Sequence, residues 1–212
     1  MHTSHSGPKR IALNGRVPSK RLLRACCRFG IGVTRAASPE HGALELKALL
    51  GLAPGGAALI TGPSGCGKSR LLKRLRNEAH DAMLCDLSSI YKRGGGGPRS
   101  VIDLIPLGLD RALRLLASAG LADPFVLGRT PGELSVGERA RFFLARALAR
   151  HRGTGWLLID EFLTTLDRET ASGVARSFRR AAREFAPELR VVAATAHADI
   201  APEFGADVHV QL

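Results

Sequence analysis

Residues Gly62-Pro63-Ser64-Gly65-Cys66-Gly67-Lys68-Ser69 fit the pattern G-x-x-x-x-G-K-S, and no other stretch restricts the chain so tightly. The apolar run Ala57-Ala58-Leu59-Ile60 before it reads as a buried strand. Ser69–Ala79 after it reads as a helix with Leu71, Leu72 and Leu75 on one face. Strand, tight glycine turn and helix start together make an anion cradle. The glycines let the backbone fold so that successive N–H groups point at phosphate oxygens. The helix adds its positive N-terminal end to the same place. In such a loop Lys68 reaches the β and γ phosphates, and the Ser69 hydroxyl is available to Mg²⁺. A glycine-rich turn with no ligand is the competing reading, and it leaves the flanking strand and helix unexplained.

Trp156-Leu157-Leu158-Ile159 is a second buried strand, and it ends in Asp160-Glu161. Asp160 at a strand end is placed to hold Mg²⁺ through water, and Glu161 to act as general base on an attacking water. A polar strand terminus without chemistry is the alternative. Further strands are predicted at Ala82–Leu87, Val191–Thr195 and Val208–Leu212. Helices are predicted at Leu107–Ala119 (apolar Leu109, Leu113, Leu116), Gly137–Arg150 and Glu169–Phe185. Gly94–Gly97 and Pro98 read as a loop tip, and residues 21–29 as either helix or strand. Strands alternating with helices predict an α/β fold with a largely parallel sheet.

Leu134-Ser135-Val136-Gly137-Glu138 precedes an Arg- and Ala-rich helix. Ser135 and Glu138 fit an ordinary capping box, but the same segment resembles the signature motif of ABC-type ATPases. The order of motifs is also that of the family: phosphate loop, signature, Asp-Glu strand, then His197. The resemblance covers roughly Leu44 to Leu212 and implies a P-loop NTPase fold with a helical signature subdomain. It implies that Gly62 to Ser69 bind ATP, that Ser69 and Asp160 hold Mg²⁺, and that Lys68, Glu161 and His197 act on the γ phosphate. It further implies a head-to-tail homodimer on ATP binding, in which Ser135 and Gly137 reach the partner's nucleotide and Asp167 lies across the interface. Ile159-Asp160-Glu161-Phe162 and Ala194-Thr195-Ala196-His197 look like a soluble branch often joined to a predicted acetyltransferase domain. One departure stands out. The only glutamine is Gln211, whereas transporter ATPases carry a glutamine between phosphate loop and signature. Cys85-Asp86 lies there instead, with Asp86 either a substitute metal contact or a plain loop acid. Phe29 is the only aromatic before the phosphate loop, where an adenine-stacking residue would be sought.

Charge separates residues 1–40, a basic N-terminal extension, from an ATP-binding domain at 41–212. The extension carries eight Lys or Arg and one acid; the whole chain carries +12. Nucleic acid, an anionic surface or an acidic partner fits such an arm, as does an arginine-rich proteome. Cys26, Cys27, Cys66 and Cys85 have neither zinc nor redox spacing, and free thiols suit the cytoplasm. No apolar run approaches a membrane span, and no secretory leader is visible at the start. These features favour a soluble, non-transport ATPase acting on nucleic acid or a macromolecular complex. The alternative is an ATP-binding subunit working with a separate membrane permease, which the missing glutamine disfavours.

Overall fold

The computed structural model describes residues 10–12, 18–34, 42–88, 97–151 and 154–212. The glycines at 94–96 fall outside them. The chain divides into two compact units, Met1–Leu44 and Glu45–Leu212. In the first, β1 (Arg10–Ala12) pairs in parallel with β2 (Gly32–Thr34). The ambiguous stretch between them is a helix, α1 (Lys20–Arg28). The extended Ser19 starts it by accepting the Leu22 N–H at 3.2 Å. Cys26 is its buried residue, and Phe29 at its end is 78% exposed.

In the second unit the helix α2 (Ala43–Leu50), which crosses the unit boundary, leads into β3 (Ala57–Thr61). After it come α3 (Lys68–Glu78) and β4 (Ala82–Asp86). The helices α4 (Leu109–Ser118), α5 (Pro124–Leu127) and α6 (Val136–Arg150) follow in turn. The chain continues through β5 (Trp156–Asp160), α7 (Arg168–Phe185), β6 (Arg190–Thr195), α8 (Ala201–Phe204) and β7 (Val208–Gln211). The five strands form one sheet in the order β4-β5-β6-β3-β7, with every pairing parallel.

Alternation along the strands splits the core in two. Leu59, Leu157, Ile159, Val191 and Ala193 face the cluster built by α4, α6 and α7, including Leu115, Phe142 and Phe178. Ala58, Ile60, Leu158, Val192 and Ala194 face Leu46 and Leu49 of α2 and Leu71, Leu72 and Leu75 of α3. Both faces are covered, which is why the strands read as continuous apolar runs. At the start of β5, Trp156 lies under the Arg190 guanidinium, 5.2 Å from the ring centroid. Arg190 Nε donates to the Leu52 carbonyl at 2.7 Å.

The stripe expected on α4 is rotated. The helix buries Ala112, Leu115 and Leu116, while Leu109 and Leu113 are exposed. Its leucines support two overlapping 3.6-residue stripes, and packing against α6 and α7 selects between them. The strand expected to reach Leu87 stops at Asp86. The short α5 and α8, and the 3₁₀ turns Ile102–Leu104 and Ala198–Ile200, carry too few residues for a periodic signal. Among the described residues no helix is long and apolar enough to cross a membrane.

Candidate functional site

The loop after β3 shows why its glycines stand where they do. Gly62 has φ +150°, and a Cβ there would lie 2.6 Å from the Leu212 carbonyl oxygen and 2.8 Å from Cys66 Sγ. No side chain fits. The Cys66 N–H donates to the Pro63 carbonyl at 3.3 Å, closing the turn. Gly67, in the left-handed region, caps α3. Lys68 is 8% exposed, and its Nζ donates to the carbonyls of Gly62 at 2.7 Å and Pro63 at 3.0 Å. Its ammonium therefore lies along the inside of the turn. Pro63, Ser64 and Gly65 are exposed, so the outer side of the loop is open; Ser69 is half-buried in the first turn of α3.

Because every strand is parallel, the loops after β3, β4, β5 and β6 leave the same edge of the sheet, where ligands bind in open α/β folds. Thr61 is in register with Thr195, and Ile159 with Ala193. Gly62 thus emerges one residue rise, roughly 3.3 Å along the strand direction, from Glu161 on one side and from His197 on the other. Asp160 is in register with Asp86 on the neighbouring strand. Leu158 and Leu84 pack on the α3 side of the sheet. By alternation, Asp160 and Asp86 lie on that side too, the side of the helix that begins at Lys68. Ser88 donates its hydroxyl to Asp86 Oδ1 at 2.9 Å. Burial, reinforced by the Asp86 charge, pushes the adjacent Cys85 thiol up to about 12 and removes it from thiolate chemistry.

Asp160 Oδ1 accepts the Glu161 N–H at 3.0 Å. Glu161 is exposed and sits at φ +54°, a costly region for a residue with a Cβ. The cause is next to it. Phe162 is fully buried against Phe178 and Phe204, and its N–H donates to the Ala194 carbonyl at 2.8 Å. The chain must turn within one residue, and this throws the Glu161 side chain outward. Thr164 Oγ1 then donates to Glu161 Oε2 at 2.9 Å and steadies the carboxylate. No motif reasoning singled out Thr164, since a threonine three residues on carries no pattern of its own. His197 donates its N–H to Thr195 Oγ1 at 3.1 Å, and its Nε2 is buried with no hydrogen-bond partner among the described residues. A buried ring nitrogen with unused hydrogen-bonding capacity at this edge suits a polar ligand.

A second group of residues gathers at two helix starts. Ser135 is exposed and caps α6 with a complete box. Its Oγ accepts the Glu138 N–H at 3.3 Å, and Glu138 Oε2 accepts the Ser135 N–H at 2.8 Å. Hydrogen bonds from the Ser135 backbone and then its side chain hold the Glu138 carboxyl below the usual glutamate value. Asp167, also exposed, caps α7 by accepting the Thr170 N–H at 2.9 Å, which lowers its carboxyl. The two starts touch: a Cβ on Gly137 would lie 3.0 Å from Thr170 Cγ2. Capping box and anion site are compatible here, because Val136 stays 53% exposed and the start of α6 faces solvent.

The structure thus places Gly62 to Ser69, Asp160, Glu161 and His197 at one sheet edge. Ser135 and Asp167, both exposed, and the half-buried Gly137 form a separate pair of helix starts. Gln211 lies on β7, paired with Thr61, and is not in the segment between phosphate loop and signature.

No protein-family model matches the chain. It is 34% identical over 193 residues to the aliphatic sulfonates import ATP-binding protein SsuB of Ralstonia nicotianae, covering 78% of this chain and 59% of that one. It is 34% identical over 143 residues to the taurine import ATP-binding protein TauB of Pseudomonas aeruginosa, covering 56% of this chain and 53% of that one. The chain therefore spans under two thirds of the length of these relatives. Among solved structures it resembles a dimeric ATP-binding cassette in a post-hydrolysis state with ADP and phosphate. That match has a TM-score of 0.51 at 21% identity, covering 72% of this chain and 79% of that one.

These names correct the functional expectation. Both relatives are named as ATP-binding proteins of import systems. The soluble, non-transport reading gives way to the transport one, and the permease expected to be the less favoured partner becomes the favoured one. The missing glutamine and the basic extension were weaker guides than similarity spread over most of the chain.

Proposed function

We propose that this chain, an ABC-type ATP-binding domain by fold and sequence similarity, hydrolyses ATP as the energising subunit of an importer with a separate membrane permease. The similarity over 193 residues to an import ATP-binding protein carries the reading. The grouping of Lys68, Asp160, Glu161 and His197 at one sheet edge supports it. Lys68 and the N–H groups of residues 62–69 bind the phosphates of ATP. Ser69 and Asp160 would hold Mg²⁺. The donor set fits: both are hard oxygens, and Asp160 Oδ2 accepts no hydrogen bond among the described residues. When bound, Mg²⁺ neutralises charge on the β and γ oxygens.

Glu161, steadied by Thr164, takes a proton from the attacking water, and His197 Nε2 orients the γ phosphate. Ser135, Gly137 and Asp167 of a second copy complete the site. The exposure of Ser135 and Asp167 and the dimeric cassette among similar structures support this role. Catalysis is then mostly positioning and charge stabilisation, and the output is opening and closing of the pair. The subunit would sit at the cytoplasmic face of the membrane, with organosulfonates such as taurine as the first cargo class to assay.

The test is affinity capture of the tagged full chain from detergent-solubilised membranes, followed by phosphate-release measurement. We expect an integral membrane protein with several spans in near-equal amount, and release that requires Mg²⁺. Capture without any membrane protein would remove the permease, and a captured complex that releases no phosphate would remove hydrolysis.

A further inference from the structure

Away from the nucleotide edge, α7 presents arginines at positions 176, 179, 180 and 183. The spacings of three and four residues put them on one stripe of the helix. They line a cleft of about 560 Å³ whose opposite wall is α8, a size typical of small-molecule sites. Arg176, Arg180 and Arg183 are exposed. Arg179 is only 5% exposed; its guanidinium lies over the Phe204 ring at 5.8 Å, and its Nε is buried with no hydrogen-bond partner among the described residues. Burial, with the repulsion of Arg183, holds its guanidinium below the usual arginine value, and Asp207 offsets this only in part.

The cleft is not neutralised from within. Two acids, Glu184 and Glu203, line it beside the four arginines and leave a net charge of +2. None of the four arginines forms an ion pair among the described residues. Glu184 accepts the Ser118 hydroxyl at 2.9 Å, and Arg180 donates to the Ser118 carbonyl at 2.7 Å. Arg176 and Arg183 form no hydrogen bond among the described residues. A buried, unpartnered guanidinium nitrogen is costly unless something outside the chain satisfies it. Planar guanidinium forks match phosphate geometry in bidentate fashion, and a charge of +2 matches a phosphate dianion.

We propose that this cleft binds a phosphate-bearing anion, either a free phosphoanion or the headgroup of a phosphomonoester lipid, at a site separate from the nucleotide edge. The site does not depend on the transport reading, because binding is measured without turnover.

Inorganic pyrophosphate is titrated by calorimetry into the full chain under saturating ADP and Mg²⁺, which keep the phosphate loop occupied. In parallel, vesicles of phosphatidylcholine with and without phosphatidic acid are floated with the protein. The Arg176→Ala/Arg183→Ala double variant tests the exposed forks without touching the core, and Arg179→Met tests the buried one. We expect binding to one of the two probes, weakened roughly tenfold or more in the double variant, as loss of charge-assisted hydrogen bonds dictates. Pyrophosphate binding identifies a free anion as ligand, and capture only by phosphatidic acid identifies the lipid headgroup. Binding to neither probe, or equal binding by wild type and double variant, overturns the proposal whether or not Arg179→Met folds.

Discussion

Glu161 offers a perturbation whose sign separates backbone from side chain. Its φ of +54° is imposed by the buried Phe162 that follows. A left-handed backbone costs an L-residue about 1–2 kcal/mol, while glycine at an ordinary position loses about 0.5–1 kcal/mol to alanine through chain entropy. Glu161→Ala and Glu161→Gly both lose the carboxylate and its 2.9 Å contact with Thr164, so their difference isolates the backbone. The midpoints of the two estimates leave glycine the more stable by roughly 0.75 kcal/mol, the reverse of the usual order. For a chain of this size that is a rise of roughly 2–4 °C in Tm per kcal/mol. Urea unfolding of the two variants side by side reads the difference, and phosphate release should be lost in both. If alanine proves as stable as glycine or more so, residue 161 is not held in the left-handed region, and the argument that Phe162 forces it there fails.

Glu161→Gln keeps the shape of the side chain and removes the base. Turnover should fall roughly 10²-fold or more with ATP affinity intact, and a normal single-turnover rate would remove Glu161 from that role. Lys68→Ala withdraws the ammonium from the phosphate loop and should weaken ATP binding; unchanged affinity by calorimetry would contradict its role. Phe162→Ala empties the contact with Phe178 and Phe204 and should cost about 3–5 kcal/mol in denaturant unfolding; a loss under 1 kcal/mol, the scale of a tolerated swap, would count against the anchor. Glu138 has a lowered pKa when folded, so its contribution is present above the unfolded value and lost as pH falls through the folded one. On acidification through that window wild type should lose more stability than Glu138→Gln, and parallel curves would refute this.

The glycine-rich turn between β3 and α3, the Asp-Glu strand and the α/β alternation were legible because each rests on local chemistry. Glycines, a lysine and flanking apolar periods lie within about ten residues of one another. What escaped depends on distant partners. The left-handed Glu161 comes from an aromatic cluster that unites α7, α8 and the end of β5, and no window of sequence contains all three. The face chosen by α4 was decided by its neighbours rather than by its own leucines. Asp86 reads as a plain acid in one dimension. Its meaning changes once strand order sets it beside Asp160. The proposed transport reading was not legible from single positions, because the absent glutamine argued against what similarity over 78% of the chain favours.

Trp156 is the only tryptophan in the chain, and a guanidinium rests on its ring. One indole means one source of tryptophan emission, so tryptophan fluorescence from this protein reports on a single strand. That strand ends in the two acidic residues at the proposed nucleotide edge. Slippage of β5 against β6 would shift the cation over the ring and change the spectrum, so stopped-flow optics can follow nucleotide-driven motion with no dye attached.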